Sequence, residues 1–491
     1  MRYHSTRSLD QQLTSREAVL QGLAADGGLF VTDELPELHI DPASLTGGYA
    51  GAARRVLGTL LSDFSAEEIA GAVEAAYGNT FADPAVTPVT KIGSMHLLEL
   101  YHGPTAAFKD VALQMLPQLM SRALAGTGRR LVIATATSGD TGKAALEGFA
   151  DVPGIGIAVF YPDGGVSAIQ RLQMATQKGN NVEVAALRGN FDDAQSAVKA
   201  LFASPLKAEL AARNITLTSA NSINIGRLAP QVVYYFDAYR QLAEAGVIRQ
   251  GERIDFCVPT GNYGDVLAGW FAKTLGLPVR RLIVASNANH VLSDFLETGV
   301  YDRRRDLVRT SSPSMDILVS SNLERLLYSI TEDDAAKVSE WMQQLTANGT
   351  YNVGEKVNNR ILEEFFGAWV DELETKETIG RVFNDNEYLM DPHTAVAWRA
   401  CEKYRLVSSD DTYCIVLSTA SPYKFSDVVL EAAGSEEDAK LEPFDGLRKL
   451  HALSGLPIPE PMLAMEKMPI LHQEVIESAD MKKAVETALK L

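Results

Sequence analysis

From about residue 131 onward the chain repeats one arrangement: a short, continuously apolar run, then a turn built from glycine, proline or small hydroxyl residues, then a stretch with helical spacing. The runs are Leu131–Ala136, Ile155–Phe160, Val182–Leu187, Ile215–Ser219, Ile254–Val258, Leu282–Ala285 and Thr412–Leu417. They are too short for buried helices and lack the apolar/polar alternation of a half-solvated strand, so they predict strands covered on both faces. Strands that alternate with helices imply βαβ crossovers, and hence an α/β fold of open, mostly parallel, twisted sheets flanked by helices. Ligands of such sheets gather beyond the carboxyl ends of the strands, which makes the loops after these runs the place to look for chemistry.

Residues 1–95 read differently. Helix-like Arg16–Leu23 and Ala66–Ala76 are separated by the Ala25-Asp26-Gly27-Gly28 turn and the Pro84–Pro88 stretch, which predicts a mainly helical N-terminal region packed on the rest. Residues 96–400 are expected to form the α/β core, and 401–491 to add a strand and helices that complete its larger unit. The tail after Pro457 is expected to be helical and peripheral. A chain of 491 residues, 46% of them hydrophobic, has the apolar material for such a core.

Composition excludes several classes of function. With 45 Lys+Arg against 63 Asp+Glu the formal charge is −18, so nothing favours nucleic acid or an anionic membrane surface, and any anionic ligand needs a local site. Met1–Glu17 holds no secretory-type apolar segment and no later stretch is long enough to span a bilayer, which predicts a cytoplasmic protein. Cys257, Cys401 and Cys414 lack the spacing of a disulfide framework or a metal site and are expected to be reduced and structural; no metal is predicted.

Four loops carry candidate chemistry. Gly103 to Asp110 is a glycine-proline turn leading into a helix whose Val111, Met115 and Leu119 recur at helical spacing, with Lys109 at the entrance. The positive field of a helix N-terminus gives an ammonium little stabilisation, so a neutral or imine-linked amine is one reading. A solvated lysine paired with Asp110 is the other. Thr137-Ser138-Gly139-Asp140-Thr141-Gly142 follows a strand and opens a helix, as an anion or carboxylate cradle does. A nucleotide P-loop is excluded there, since Thr137 stands where the first glycine is needed and Ala144 where the metal-binding hydroxyl is needed. A plain turn with Ser138 as helix cap remains open.

Pro259 to Asp265 repeats the strand–glycine loop–helix arrangement and suits a backbone nest around a phosphate, or simply a tight turn. Asn221 to Arg227 places two amides, a hydroxyl and a guanidinium in one loop. That set binds an oxyanion, or caps a helix whose arginine pairs on the surface.

Taken together and in order, these motifs resemble the threonine synthases, specifically their longer bacterial and fungal subgroup. The resemblance also rests on Tyr3-His4-Ser5-Thr6-Arg7, Gly22 to Leu29, Ser311 to Ile317 and Asp391-Pro392-His393-Thr394-Ala395. It implies the tryptophan-synthase-β-like class of pyridoxal-phosphate enzymes, with two α/β units and the cofactor between them. In that class the lysine matching Lys109 carries the cofactor, and Phe108 packs beside its ring. Gly261, Asn262, Tyr263, Gly264 and Asp265 hold its phosphate, and Thr419 meets the pyridine nitrogen. The loop Ser138, Gly139, Asp140, Thr141 lies by the cofactor hydroxyl and takes the substrate carboxylate, with Asp140 on the cofactor side; Asn221, Ser222 and Arg227 meet a substrate phosphate. Many relatives have phenylalanine at the position of Tyr263 and histidine at that of Ser421.

The resemblance implies conversion of O-phospho-L-homoserine and water into L-threonine and phosphate, with Lys109 moving protons after the substrate displaces it, by a monomer or homodimer. Related lyases that stop at elimination, or dehydratases, share the early steps. Arg227 argues against a dehydratase, whose substrate has no second phosphate, and the survival of Lys109, the phosphate loop and Thr419 argues against a binding-only relative. His393, alone after a proline turn, is expected to be a structural hydrogen-bonding group.

Overall fold

A computed structural model describes residues 1–189, 191–409 and 411–490, with all their side chains except those of 191 and 192. The apolar runs are strands of two separate sheets. The smaller is entirely parallel, in the order Val475–Ile476, Val182–Leu187, Ile155–Pro162, Arg130–Ala136, Ile215–Thr218. The larger runs Phe365–Trp369, Val279–Ser286, Ile254–Pro259, Cys414–Ser418, Met95–Glu99, Val89–Ile92, parallel except for the final hairpin. Helices cover both sheets. The longest, Ile225–Glu244, is buried along nearly its whole length, which explains its apolar residues on all sides.

In each sheet the chain order reverses beside a central strand. Arg130–Ala136 lies between Ile155–Pro162 and Ile215–Thr218, and Cys414–Ser418 lies between Ile254–Pro259 and Met95–Glu99. Loops leaving neighbouring strands in opposite directions open a crevice at their carboxyl ends. Those loops are Thr137–Gly142, Asn221–Arg227, Gly261–Asp265, Thr419 onward, and the turn that ends at Lys109.

Residues 1–95 include the expected helices, seen as Ser15–Gln21 and Ala66–Tyr77, plus Gly48–Leu60. A capping box, Ser65 with Glu68, starts Ala66–Tyr77, and its Ile69, Ala72, Val73 and Ala76 form the buried stripe. The region also holds an antiparallel sheet of Ser8–Leu13, Tyr3–Ser5 and Phe30–Val31. Its strands of two to six residues are too brief to show a period.

The tail departs from the expectation of a peripheral segment that completes the larger unit. Val475–Ile476 pairs with Val182–Leu187 on the edge of the smaller sheet, and Met481, Ala484, Val485 and Ala488 pack with Val132, Ala158 and Phe160. A free edge of a parallel sheet recruits even a two-residue strand, because its N–H and C=O groups otherwise lack partners.

The helices Lys109–Leu124 and Asp140–Phe149 approach closely at Gly148, where an added Cβ would stand 2.0 Å from the Leu113 carbonyl oxygen. Backbone cannot rotate aside as a side chain does. Gly148→Ala is expected to cost about 1–3 kcal/mol of stability through overpacking, read as a lower denaturant midpoint. An unchanged midpoint would mean that the helices separate freely.

Candidate active site

The reversing loops surround one cavity of about 1170 Å³. Lys109 begins the helix Lys109–Leu124 at its floor. Asp110 closes the preceding turn by accepting from the Thr105 N–H at 2.8 Å and hydroxyl at 2.6 Å. This rules out the lysine paired with Asp110: that carboxylate is committed to Thr105, and the Lys109 side chain is only 11% exposed. Burial pushes the Lys109 amine down to about 8; Asp140 opposes the shift, while Arg227 and Lys424 add to it. Phe108 lies with its ring centroid 5.6 Å from the Lys109 Nζ and lines the cavity.

Thr419 holds that floor from the larger sheet. Its carbonyl accepts from the Phe108 N–H at 2.8 Å, and Ala106 accepts from the Ser421 N–H at 3.0 Å. A strand end far along the chain thus sets the height of the lysine loop. Thr419 itself lines the cavity.

Gly261, Asn262, Tyr263, Gly264 and Asp265 form one wall. The helix Gly264–Thr274 has no side-chain cap, so its first N–H groups are available to a ligand. An added Cβ on Gly261 would come within 2.8 Å of the Ser314 carbonyl. Tyr263 takes a left-handed conformation with φ 62°, and its buried hydroxyl has no partner among the described residues. Asn322 donates its N–H to the Asn262 carbonyl at 3.1 Å, bracing the loop from outside. The Asp265 carboxylate accepts from the Tyr234 and Tyr235 hydroxyls, and burial pushes it up to about 6 against those bonds.

Ser138 and Thr141 line the cavity, whereas Gly139 and Asp140 do not. Ser138 does not cap the helix: Gly139 occupies the cap position with φ +132°, and a Cβ there would strike the Gln170 side chain at 2.4 Å. Asp140 turns beneath the cavity. Its carboxylate lies 2.9 Å from the Lys424 Nζ, accepts from the Gln170 amide at 2.9 Å and stands 3.9 Å from the Lys109 Nζ. Burial works to raise it, but Lys424, Lys109 and Gln170 outweigh burial and hold the carboxyl below the usual carboxylate range.

Asn221, Ser222 and Arg227 also line the cavity, and Ser222 adjoins the glycine loop, an added Cβ on Gly264 standing 3.8 Å from the Ser222 Cβ. The Asn221 carbonyl accepts from the Thr135 hydroxyl at 2.6 Å, which orients the amide. Asn224 serves as the helix cap, its side chain accepting from the Gly226 N–H at 2.8 Å. Arg227 is no surface residue. Its guanidinium is buried, donates to the Ala220 carbonyl at 3.0 Å, and has a partnerless Nε. Among the described residues no carboxylate forms an ion pair with it, and burial lowers it to about 10. A cation left unpaired at a cavity wall is costly unless an anion enters.

Lys424 carries no motif in the sequence, Ser314 and Arg7 stand in motifs with no role assigned to them, and His393 is expected only as a hydrogen-bonding group. Lys424 is buried, and its setting in Pro422-Tyr423-Lys424-Phe425, unlike that of a surface lysine, was the available signal. Ser314 accepts from the Lys109 Nζ at 3.1 Å. His393 accepts from the Ser314 N–H on Nε2 at 3.2 Å, while its Nδ1 lies 2.6 Å from Asp391. Arg7 brings the N-terminal region to the cavity, tied to Glu324 by two bonds of 2.8 Å.

Three family models match consecutive parts of the chain: "Threonine synthase N terminus" over residues 2–77, "Pyridoxal-phosphate dependent enzyme" over 86–419 and "Threonine synthase, C-terminal" over 394–453. The threonine synthase of Pseudomonas aeruginosa is 40% identical, with 88% of this chain and 90% of that protein covered. Threonine synthase-like 1 of Pongo abelii is 38% identical over 87% of this chain, which spans only 59% of that longer protein. The crystal structure of PLP-bound threonine synthase from Brucella melitensis superposes with a TM-score of 0.88 at 36% identity, with both chains fully covered.

Proposed function

The chain belongs to the threonine synthase family of pyridoxal-phosphate-dependent enzymes, and from that premise we propose that it is a lyase that converts O-phospho-L-homoserine and water into L-threonine and phosphate. The observation that carries this reading is the buried Arg227, without an anionic partner among the described residues and lining the same cavity as the uncapped glycine-loop helix. An unpaired guanidinium and an uncapped helix N-terminus in one cavity with one lysine suit a phosphorylated substrate beside a phosphorylated cofactor.

The residues present fit pyridoxal phosphate. An amine of low basicity, an uncapped helix N-terminus behind a glycine loop and a neutral hydroxyl residue at a strand end share one cavity. Lys109 would hold its aldehyde carbon, Gly261 to Asp265 its phosphate, Thr419 its pyridine nitrogen and Phe108 one side of its ring, with Asp140 nearby. When bound, the cofactor supplies an electron sink for carbanions at the substrate's α and β carbons.

The chain's own groups do the rest. Ser138 and Thr141 orient the substrate carboxylate at the N-terminus of Asp140–Phe149, and Gly139, its N–H donated to the Thr137 hydroxyl, shapes their loop. The freed Lys109 amine takes the Cα proton and moves protons at Cβ and Cγ. Arg227, with Asn221 and Ser222, binds the phosphate most strongly as its charge grows on leaving Cγ. Enclosure of the cavity by both units keeps bulk water from the reacting carbons until one water adds at Cβ. We take 1–95 as the packed N-terminal region, 96–400 as the two-unit core and 401–491 as its C-terminal part, in a cytoplasmic monomer or homodimer. No helix among the described residues is long and apolar enough to cross a membrane.

The test is a product assay with pyridoxal phosphate and O-phospho-L-homoserine. Equal amounts of phosphate and threonine are expected; phosphate with 2-oxobutyrate would make the chain an eliminating lyase, and no phosphate would overturn the reading. The Lys109 amine adds a pH prediction. Below about 8 it is mostly ammonium and above it mostly neutral, and only the neutral form attacks an aldehyde. Covalent capture of pyridoxal phosphate by cofactor-free protein is therefore expected to quicken about tenfold per pH unit below that value and to level off above it. Rapid-mixing absorbance measures this; a rise that continues past pH 10 would contradict the depressed amine.

A further inference from the structure

We propose that Lys424 is a positioning residue for Lys109, acting through Asp140 and Ser314; the proposal rests on the assignment of Lys109 as the reacting amine. Lys424 follows Thr419 in the turn Pro422–Phe425 and is 1% exposed. Its Nζ lies 2.8 Å from the Thr105 carbonyl, 3.1 Å from the Gln173 side-chain oxygen and 2.9 Å from the Asp140 Oδ1. Three acceptors meet the three donors of an ammonium. They come from the lysine loop and from two helices beside the smaller sheet, so a single side chain of the larger unit ties both units together under the reacting amine.

Stability alone does not account for this lysine. A buried ion pair is weak evidence of stabilisation, since an apolar group of the same shape often serves as well. What an apolar group could not do is balance Asp140. The other oxygen of that carboxylate stands 3.9 Å from the Lys109 Nζ, and Ser314 Oγ bridges them, 3.1 Å from the amine and 3.3 Å from Asp140 Oδ2. Facing the same space are Arg227 across the cavity, Asp110 held by Thr105, and His393 behind Ser314. Without Lys424, Asp140 would have Lys109 as its nearest cation and would hold it as an ammonium. With Lys424 in place the carboxylate is already balanced, and the Ser314 bridge orients the amine without keeping it protonated.

The test is the pH midpoint at which Lys109 in the cofactor-free full-length protein reacts with an amine-selective acylating reagent, read by mass spectrometry of its peptide. In Lys424→Met the midpoint is expected to rise by about one pH unit, because the Asp140 carboxylate then has Lys109 as its nearest cation. A merely structural lysine would lower stability and leave the midpoint in place, and that result would overturn the proposal. If Lys424→Met fails to fold, Lys424→Gln keeps a hydrogen-bonding side chain in place without the charge; its midpoint is expected to rise likewise, and an unchanged midpoint would overturn the proposal. No substrate is used, so a failed product assay and a failed midpoint shift are separate outcomes.

Discussion

Lys109→Ala is expected to yield a folded protein that binds pyridoxal phosphate only reversibly, so that borohydride fixes none of it to the chain. Threonine formation should fall by about 10⁴-fold, the upper range for removing a positioned acid–base group. The fold should tolerate the change, because the ammonium it removes is disfavoured by burial. The Asp140 carboxylate keeps Lys424 and Gln170. Absorbance in the near-visible, borohydride labelling and phosphate release measure the three consequences separately. Retention of normal turnover would remove Lys109 from the reaction. Loss of turnover with intact labelling would place the covalent link on another lysine.

Arg227→Met should separate substrate recognition from cofactor binding. The guanidinium is buried and unpaired, with its Nε directed to no protein acceptor. Its removal relieves a desolvated charge and sacrifices one bond, to the Ala220 carbonyl. Stability should therefore change little or rise. The entering phosphate loses its charge-assisted partner, which costs about 2–5 kcal/mol, equivalent to about a 30- to 5000-fold fall in kcat/KM for O-phospho-L-homoserine. Cofactor absorbance should be unaltered, since the glycine loop offers its own N–H groups at the uncapped start of Gly264–Thr274. A variant with unchanged kcat/KM would place the substrate phosphate elsewhere, and one that loses cofactor binding would make Arg227 part of the cofactor site.

Much of the fold was legible because its signals are local. A run such as Ile155–Pro162, buried at every position, reads as a covered strand from its own residues. Gly139 and Gly261 stand where backbone must take an unusual conformation or approach another segment, and such glycines mark loops before any packing is known. The illegible elements were those whose shape is imposed from outside. Val475–Ile476 is a strand only because the edge strand Val182–Leu187 offers it partners, and Gly139 rather than Ser138 takes the cap position of Asp140–Phe149, a choice made by loop geometry.

By itself the sequence determined the class of fold and the loops at the strand ends whose residues border the cavity, because apolar period, glycine placement and motif order are properties of neighbouring residues. Only the tertiary structure decided how those residues are charged and aimed. The basicity of Lys109 depends on burial and on Asp140, Arg227 and Lys424. Asp140 turns beneath the cavity because Lys424, hundreds of residues later, lies there with Gln170. Such electrostatics falls steeply with distance and strengthens with loss of water. It is set by the packing of two sheets against each other, which no stretch of neighbouring residues contains.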